Sequence, residues 1–230
     1  MLPPMTDDGV AVITGASSGI GEEIAREFAR RGYRLVLVAR RADRLRDLAE
    51  ELAGRAYVLP ADLSNRDQRA TLFDQVAALG VVADILVNNA GLTTLGPVAE
   101  ASPGAELNLI EVDVAAVVDL CSRFVPSMVK RGRGAVLNVA SVGAFGPLPG
   151  QASYGAAKAF VLSSPRRCVK SCATPASPPP RCARDRCTPA FSRPKVFQTK
   201  RARERCRSSY GSTPTQWPRS RLTEWRRLRA

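Results

Sequence analysis

Val10-Ala11-Val12-Ile13-Thr14-Gly15-Ala16-Ser17-Ser18-Gly19-Ile20-Gly21 decides the fold of this 230-residue chain. Val10 to Ile13 is a short apolar run of strand length, and the stretch after Gly21 carries apolar residues at helical spacing to about Arg31. Glycines at 15, 19 and 21 turn the strand into the helix and let the backbone approach a pyrophosphate. The charge of such a group sits on the helix N-terminus. A glycine-rich turn alone is weak evidence; a strand before it and an amphipathic helix after it make the signal good.

Working outward, runs at 10–14, 34–39, 56–59, 84–88 and 134–140 have strand character. Helix-length stretches separate them, with Ile24 and Phe28, then Leu45, Leu48 and Leu52, on apolar faces. Alternating strand and helix implies a parallel sheet covered on both faces, with a ligand at the carboxyl ends of its strands. The last run, Ala135 to Ala140, is expected to be a buried strand that delivers Ser141. Thirteen residues on, Tyr154 and Lys158 stand at i and i+4 and so share a helix face. An ammonium one turn from a phenol favours the phenolate, which suits the pair to proton transfer. A serine at a strand end can hold the substrate oxygen meanwhile.

These pieces, with Asn88-Asn89-Ala90-Gly91 between them, resemble the short-chain dehydrogenase/reductase family: Thr-Gly-x3-Gly-x-Gly, Asn-Asn-Ala-Gly, Ser and Tyr-x3-Lys, in family order over residues 9–164. The resemblance implies a Rossmann-like, doubly wound α/β sheet in a unit spanning residues 1–164. It also implies hydride transfer between a nicotinamide cofactor and an alcohol or carbonyl substrate, small or lipid-like. Tyr154 would be the general acid/base, Lys158 its partner and a ribose ligand, and Ser141 the carbonyl-orienting hydroxyl. Thr14, Gly15, Ser17, Ser18, Gly19, Ile20, Gly21, Asn89, Ala90 and Gly91 would cradle the cofactor, and Asp62-Leu63 would meet the adenine. Where the family has a catalytic asparagine this chain has Asp113. Its backbone carbonyl could still serve a relay water, but its charge would compete for Lys158. The family is commonly homo-oligomeric, although much of the usual interface-forming sequence is not recognisable here. No metal site is expected.

After the second strand run, the place of the acid that usually binds a ribose 2′-hydroxyl holds Ala39-Arg40-Arg41. Two guanidiniums there suit a 2′-phosphate, so NADP(H) is favoured over NAD(H). A solvated charge pair opening the next helix is the alternative. Cys121, in an apolar stretch, fits a core position better than a reactive one. Phe145, Pro147 and Leu148 suit either a pocket wall or loop packing. With no apolar h-region and no basic n-region at the N-terminus, a cytoplasmic site is expected, without a membrane partner.

Composition changes abruptly after Ser164. Residues 1–164 hold 16 basic and 18 acidic side chains, net −2; residues 165–230 hold 18 and 3, net +15, which together make +13. The second stretch carries five of six cysteines and nine of seventeen prolines, but only six Leu, Ile, Val or Phe. That is too few to bury a core, and the pattern is one of disorder. A nucleic-acid arm is conceivable through arginines with Tyr210, Trp217 and Trp225, though nonspecifically. A metal module is weaker, because there is no histidine and no paired Cys-x-x-Cys. A third reading is a shift of reading frame. Joining the third base of each codon to the next two, from Ser163 onward, permits FSEALREELRDTGVSATALCPGPVHTGF. That string resumes the amphipathic helix, then gives a turn, an apolar strand and the Pro-Gly that the family has next. The chain as written would then lack the C-terminal strands and expose an apolar sheet edge, and would bind cofactor weakly or not at all.

Overall fold

The computed structural model describes residues 2–3 and 6–171, with side chains to Ser164. The expectations attached to the basic stretch from position 172 onward lie outside the described residues. Five strands form one parallel sheet in the order β3-β2-β1-β4-β5: β1 Gly9–Thr14, β2 Arg34–Ala39, β3 Ala56–Pro60, β4 Val82–Asn88 and β5 Ala135–Asn138. The helices are α1 Gly19–Arg30, α2 Ala42–Glu51, α3 Arg66–Ala78, α4 Pro103–Ile110, α5 Ala116–Lys130 and α6 Ala152–Ser171. Glu111–Ala115 joins α4 to α5 as a π-helical turn.

The period-2 geometry of β-strands explains the two layers. Val10, Val12, Val36 and Val38 pack with Leu72 and Val76 of α3 and Leu120 and Phe124 of α5. The intervening Ala11, Ile13, Leu35 and Leu37 face Ala25 and Phe28 of α1 and Leu45 and Leu48 of α2. Both faces of the central strands are therefore buried, which is why they carry continuous rather than alternating apolar sequence. The strand order reverses between β1 and β4. In an open α/β sheet that reversal leaves a crevice at the carboxyl ends of the strands.

One expectation needs correction. The 134–140 run is strand only over Ala135–Asn138, and it is not buried: Val136 and Leu137 are 40% and 37% exposed. β5 is the last strand of the sheet among the described residues, with only β4 beside it. An edge strand packed on one side leaves apolar side chains partly in water. Ser141 consequently sits three residues beyond the strand, as the N-cap of a short 3₁₀ turn, Val142–Ala144.

Candidate active site

Thr14, at the end of β1, is buried, and it organises the turn after β4. Its hydroxyl donates to the Val87 carbonyl at 3.0 Å and accepts from the Asn89 and Ala90 N–H groups at 3.0 and 3.1 Å. Asn89 returns a bond through Nδ2 to the Thr14 carbonyl at 3.0 Å. The two loops at the crevice are thus one hydrogen-bonded unit. Gly15 has φ +67°, and a Cβ there would stand 2.8 Å from Ala90 Cα. At Gly21 a Cβ would come within 2.3 Å of the Gly15 carbonyl oxygen, so this glycine lets α1 pack against the turn. Gly19 differs: its φ is +61° and a Cβ there would meet nothing within 4 Å, so the left-handed backbone rather than crowding favours glycine at this position.

A cavity of about 530 Å³ lies over this unit. Of the residues singled out from sequence, Gly15, Ser17, Ser18, Ile20, Arg40, Arg41, Asp62, Leu63, Asn89, Ala90 and Gly91 line it. Ala39, Ala61, Leu92 and Val112 complete the wall. They had no motif to betray them, since small and apolar residues at strand ends look like ordinary core. Ser18 is the N-cap of α1 and makes no side-chain capping bond. Its hydroxyl instead accepts from Arg41 Nη2 at 2.8 Å, and Ser17 Oγ accepts from the same nitrogen at 3.0 Å. An exposed guanidinium and two hydroxyls beside the start of α1 form an anion-attracting corner. Arg40 faces Asp62. Burial opposes ionisation of the Asp62 carboxyl, but donors from the Ser64 backbone and hydroxyl and the Arg40 charge outweigh it and hold the group below its usual range.

The second cluster is built by α6 and the turn after β5. Tyr154 and Lys158 share one face of α6, and Lys158 Nζ lies 5.7 Å from the centroid of the Tyr154 ring. Ser141 Oγ accepts from the Gly143 N–H at 3.2 Å. A methyl group built on Gly143 would lie 3.6 Å from Ser141 Oγ and 3.8 Å from Tyr154 Cε1, so the serine and the ring flank the same spot. The buried Lys158 ammonium also meets Asp113 Oδ2 at 3.0 Å and the Val139 carbonyl at 3.5 Å. The contact with Asp113 is a charge contact without well-aligned hydrogen-bond geometry. Asp113 is fixed on its other oxygen, which accepts from the Leu92 N–H at 2.6 Å. The π-helical turn carries Val112 and Asp113 inward, and both are buried. Such single-turn π-bulges are frequent at functional sites. A Cβ on Gly91 would stand 2.9 Å from Lys158 Nζ and 3.1 Å from Asp113 Oδ2, which joins this cluster to the cavity wall.

The loops flanking Tyr154 are also tied together. Gln151 Nε2 donates to Thr93 Oγ1 at 2.7 Å, and the Gly96 N–H donates to the Gly150 carbonyl at 2.9 Å. Hydroxyl donors from Ser153 and Thr94 hold the Glu106 carboxyl below its usual range. None of these three ties was legible in sequence, because each joins residues from separate segments of the chain.

A parallel sheet with its crevice at the β1/β4 reversal and a glycine turn at its mouth defines a dinucleotide-binding type of α/β unit. Comparison with known proteins sharpens this. The family model for short chain dehydrogenases matches residues 9–173. A short chain dehydrogenase of Pseudocercospora fijiensis is 40% identical over 157 residues, 66% of this chain and 50% of that protein. The NADP-dependent 3-hydroxy acid dehydrogenase YdfG of Escherichia coli is 34% identical over 153 residues, 66% of this chain and 62% of that protein. A metagenomic short-chain oxidoreductase, solved in complex with NADP, superposes with a TM-score of 0.67 at 34% identity, covering 72% of this chain and 78% of that one. The chain belongs to the short-chain dehydrogenase/reductase family of oxidoreductases. It spans about half to two thirds of the length of the curated relatives it matches.

Proposed function

We propose that this chain is an NADP(H)-dependent oxidoreductase that interconverts an alcohol and a carbonyl, with Ser141, Tyr154 and Lys158 as its reacting site. The observation that carries the reading is the convergence of Ser141 and the Tyr154 ring on one spot while Lys158 reaches the wall of the glycine-turn cavity. The cavity suits a dinucleotide: Gly19 leaves room beside the start of α1 for a phosphate. Gly15, Ser17, Ser18, Ile20 and the Asn89–Gly91 turn would hold the cofactor, with the adenine against Asp62 and Leu63. The bound nicotinamide supplies or accepts a hydride. In the reducing direction Ser141 would hold the carbonyl oxygen and Tyr154 would give it a proton. Lys158 would stabilise the phenolate left behind and keep a donor toward the ribose.

The preference for NADP(H) over NAD(H) rests on Arg41, whose guanidinium stands with the Ser17 and Ser18 hydroxyls where a 2′-phosphate would be met, with Arg40 beside it. The NADP-bound relative and the NADP-dependent dehydrogenase of Escherichia coli support the same choice.

A second reading concerns the whole polypeptide: an inactive product of a shifted frame whose basic tail binds nucleic acid nonspecifically. It is favoured by the charge change at position 164 and by a family match that ends at residue 173. One experiment separates the readings. Purified chain is titrated with NADPH by fluorescence and assayed for its oxidation against a panel of ketones and aldehydes, beside Tyr154→Phe. Saturable binding, with turnover lost in Y154F while binding persists, is the result expected of the enzyme. Neither binding nor turnover would sink that reading and leave the second. Sequencing the gene across codons 155 to 195 would test the shifted frame itself.

A further inference from the structure

α3 turns Leu72 and Val76 toward the core, and among them it also buries an arginine. The Arg69 side chain is only 5% exposed. Its Nη1 donates to the Leu63 carbonyl at 2.6 Å and reaches the Ser64 carbonyl at 3.3 Å. Nη2 pairs with Glu111 Oε2 at 2.9 Å, and Nε lies 3.5 Å from Asp119 Oδ2 without hydrogen-bond alignment. A guanidinium withdrawn this far from water persists only when it is well compensated: two carbonyls meet Nη1, Glu111 meets Nη2, and the Asp119 charge lies beside Nε without an aligned hydrogen bond. Nothing in the hydride and proton chemistry uses this group.

What it joins is informative. Leu63 and its neighbour Asp62 form one wall of the cavity, and Val112, next to Glu111, belongs to another. We propose that Arg69 is a positioning residue for the adenine end of the cofactor, a tie that holds the Asp62–Ser64 loop at a set distance from the π-helical turn. The proposal rests on the reading of the cavity as a dinucleotide site. The loop has local supports as well: Ser64 N–H and Oγ donate to Asp62 Oδ1, and Asn65 caps α3. Those supports shape the loop internally. Among the described residues, Arg69 alone links it to Glu111, two positions before Asp113, by hydrogen bond and ion pair. The planar fork matters, because it serves a carbonyl and a carboxylate at once; an ammonium cannot reproduce that geometry.

The test compares wild type with Arg69→Met and, as a milder change at a half-exposed anchor, Glu111→Gln. Affinity is measured for NADPH, for its adenosine bisphosphate half and for reduced nicotinamide mononucleotide, the half without adenine. R69M should weaken the first two by about tenfold, the scale of one lost charge-assisted bond, and leave the third unchanged. E111Q should shift them the same way by less. Amide hydrogen exchange, which needs no ligand, should show protection at Asp62–Asn65 falling in both variants while β1 and β4 keep theirs. Unchanged loop protection, or equal losses for both halves of the cofactor, would overturn the proposal. Should wild type bind no nucleotide, the dinucleotide reading fails, and the exchange of the loop still decides whether Arg69 holds it.

Discussion

Replacing Asp113 by asparagine tests the electrostatics at the centre of the site. The carboxylate and the Lys158 ammonium are 3.0 Å apart and buried. At an effective dielectric constant of about 20, their attraction is roughly 5–6 kcal/mol, part of which is offset by taking both charges out of water. Removing one partner of a buried pair costs about 3–5 kcal/mol, since the other charge is stranded. Asparagine keeps its one oxygen for the Leu92 N–H but then turns its amide NH2, a donor, toward Lys158, which retains the Val139 carbonyl. The full cost, about 3–5 kcal/mol, is therefore expected for D113N. For a unit of this size that corresponds to a fall in melting temperature of about 6–20 °C. D113A should lose about 1–3 kcal/mol more, because the Leu92 N–H is then left unmet. The ligand-bound state should respond oppositely. Released from the carboxylate, the ammonium is free to donate to a ribose hydroxyl, so saturating NADPH should raise the melting temperature of D113N more than that of wild type. The assay is differential scanning calorimetry of the three proteins with and without NADPH. An apo D113N melting within about 1 °C of wild type would refute the reasoning, because a pair worth its geometry cannot be removed at no cost.

Three further outcomes are expected. Arg41→Ala removes the guanidinium from the Ser17 and Ser18 hydroxyls; it should raise the KM for NADPH by about tenfold or more and leave that for NADH nearly unchanged, as the loss of a charge-assisted bond to one phosphate requires. Gly21→Ala forces a Cβ against the Gly15 carbonyl at 2.3 Å; denaturant unfolding should show about 1–3 kcal/mol of destabilisation from overpacking, and an unchanged midpoint would contradict the close approach. The third outcome concerns pH. Hydrogen-bonded and paired donors hold the carboxyls of Asp62, Glu27, Glu51 and Glu106 below the ordinary range. A carboxylate with a depressed folded-state pKa stabilises the fold when ionised. That contribution is complete above the unfolded-state values near pH 4 and is lost as the pH falls through the folded ones. Thermal stability should therefore decline on acidification below about pH 4, and less steeply in Asp62→Asn. A flat profile would mean these contacts do not persist in solution.

The linear order of residues 9–164 carried most of the fold. Apolar runs of strand length alternating with amphipathic stretches dictate a parallel sheet, and the glycines at 15, 19 and 21 mark the turn from β1 into α1. These are local signals, set by backbone geometry and side-chain period. They place Thr14, the Asn89–Gly91 turn and the Tyr154–Lys158 pair before any tertiary contact is known. Tertiary structure alone decided which partner each group meets. Asp113 reaches Lys158 across 45 positions because a π-helical turn between α4 and α5 carries it inward. Arg69, an ordinary surface-looking arginine in sequence, is buried because Leu63, Ser64, Glu111 and Asp119 converge on it from separate elements. The apolar run before Ser141 misled for the same reason: burial depends on what lies beside a strand, and β5 has a neighbouring strand on one side only among the described residues. Periodicity reports the face a residue takes within its own element. Whether that face meets water, a carbonyl or a carboxylate is settled by segments far away in the chain.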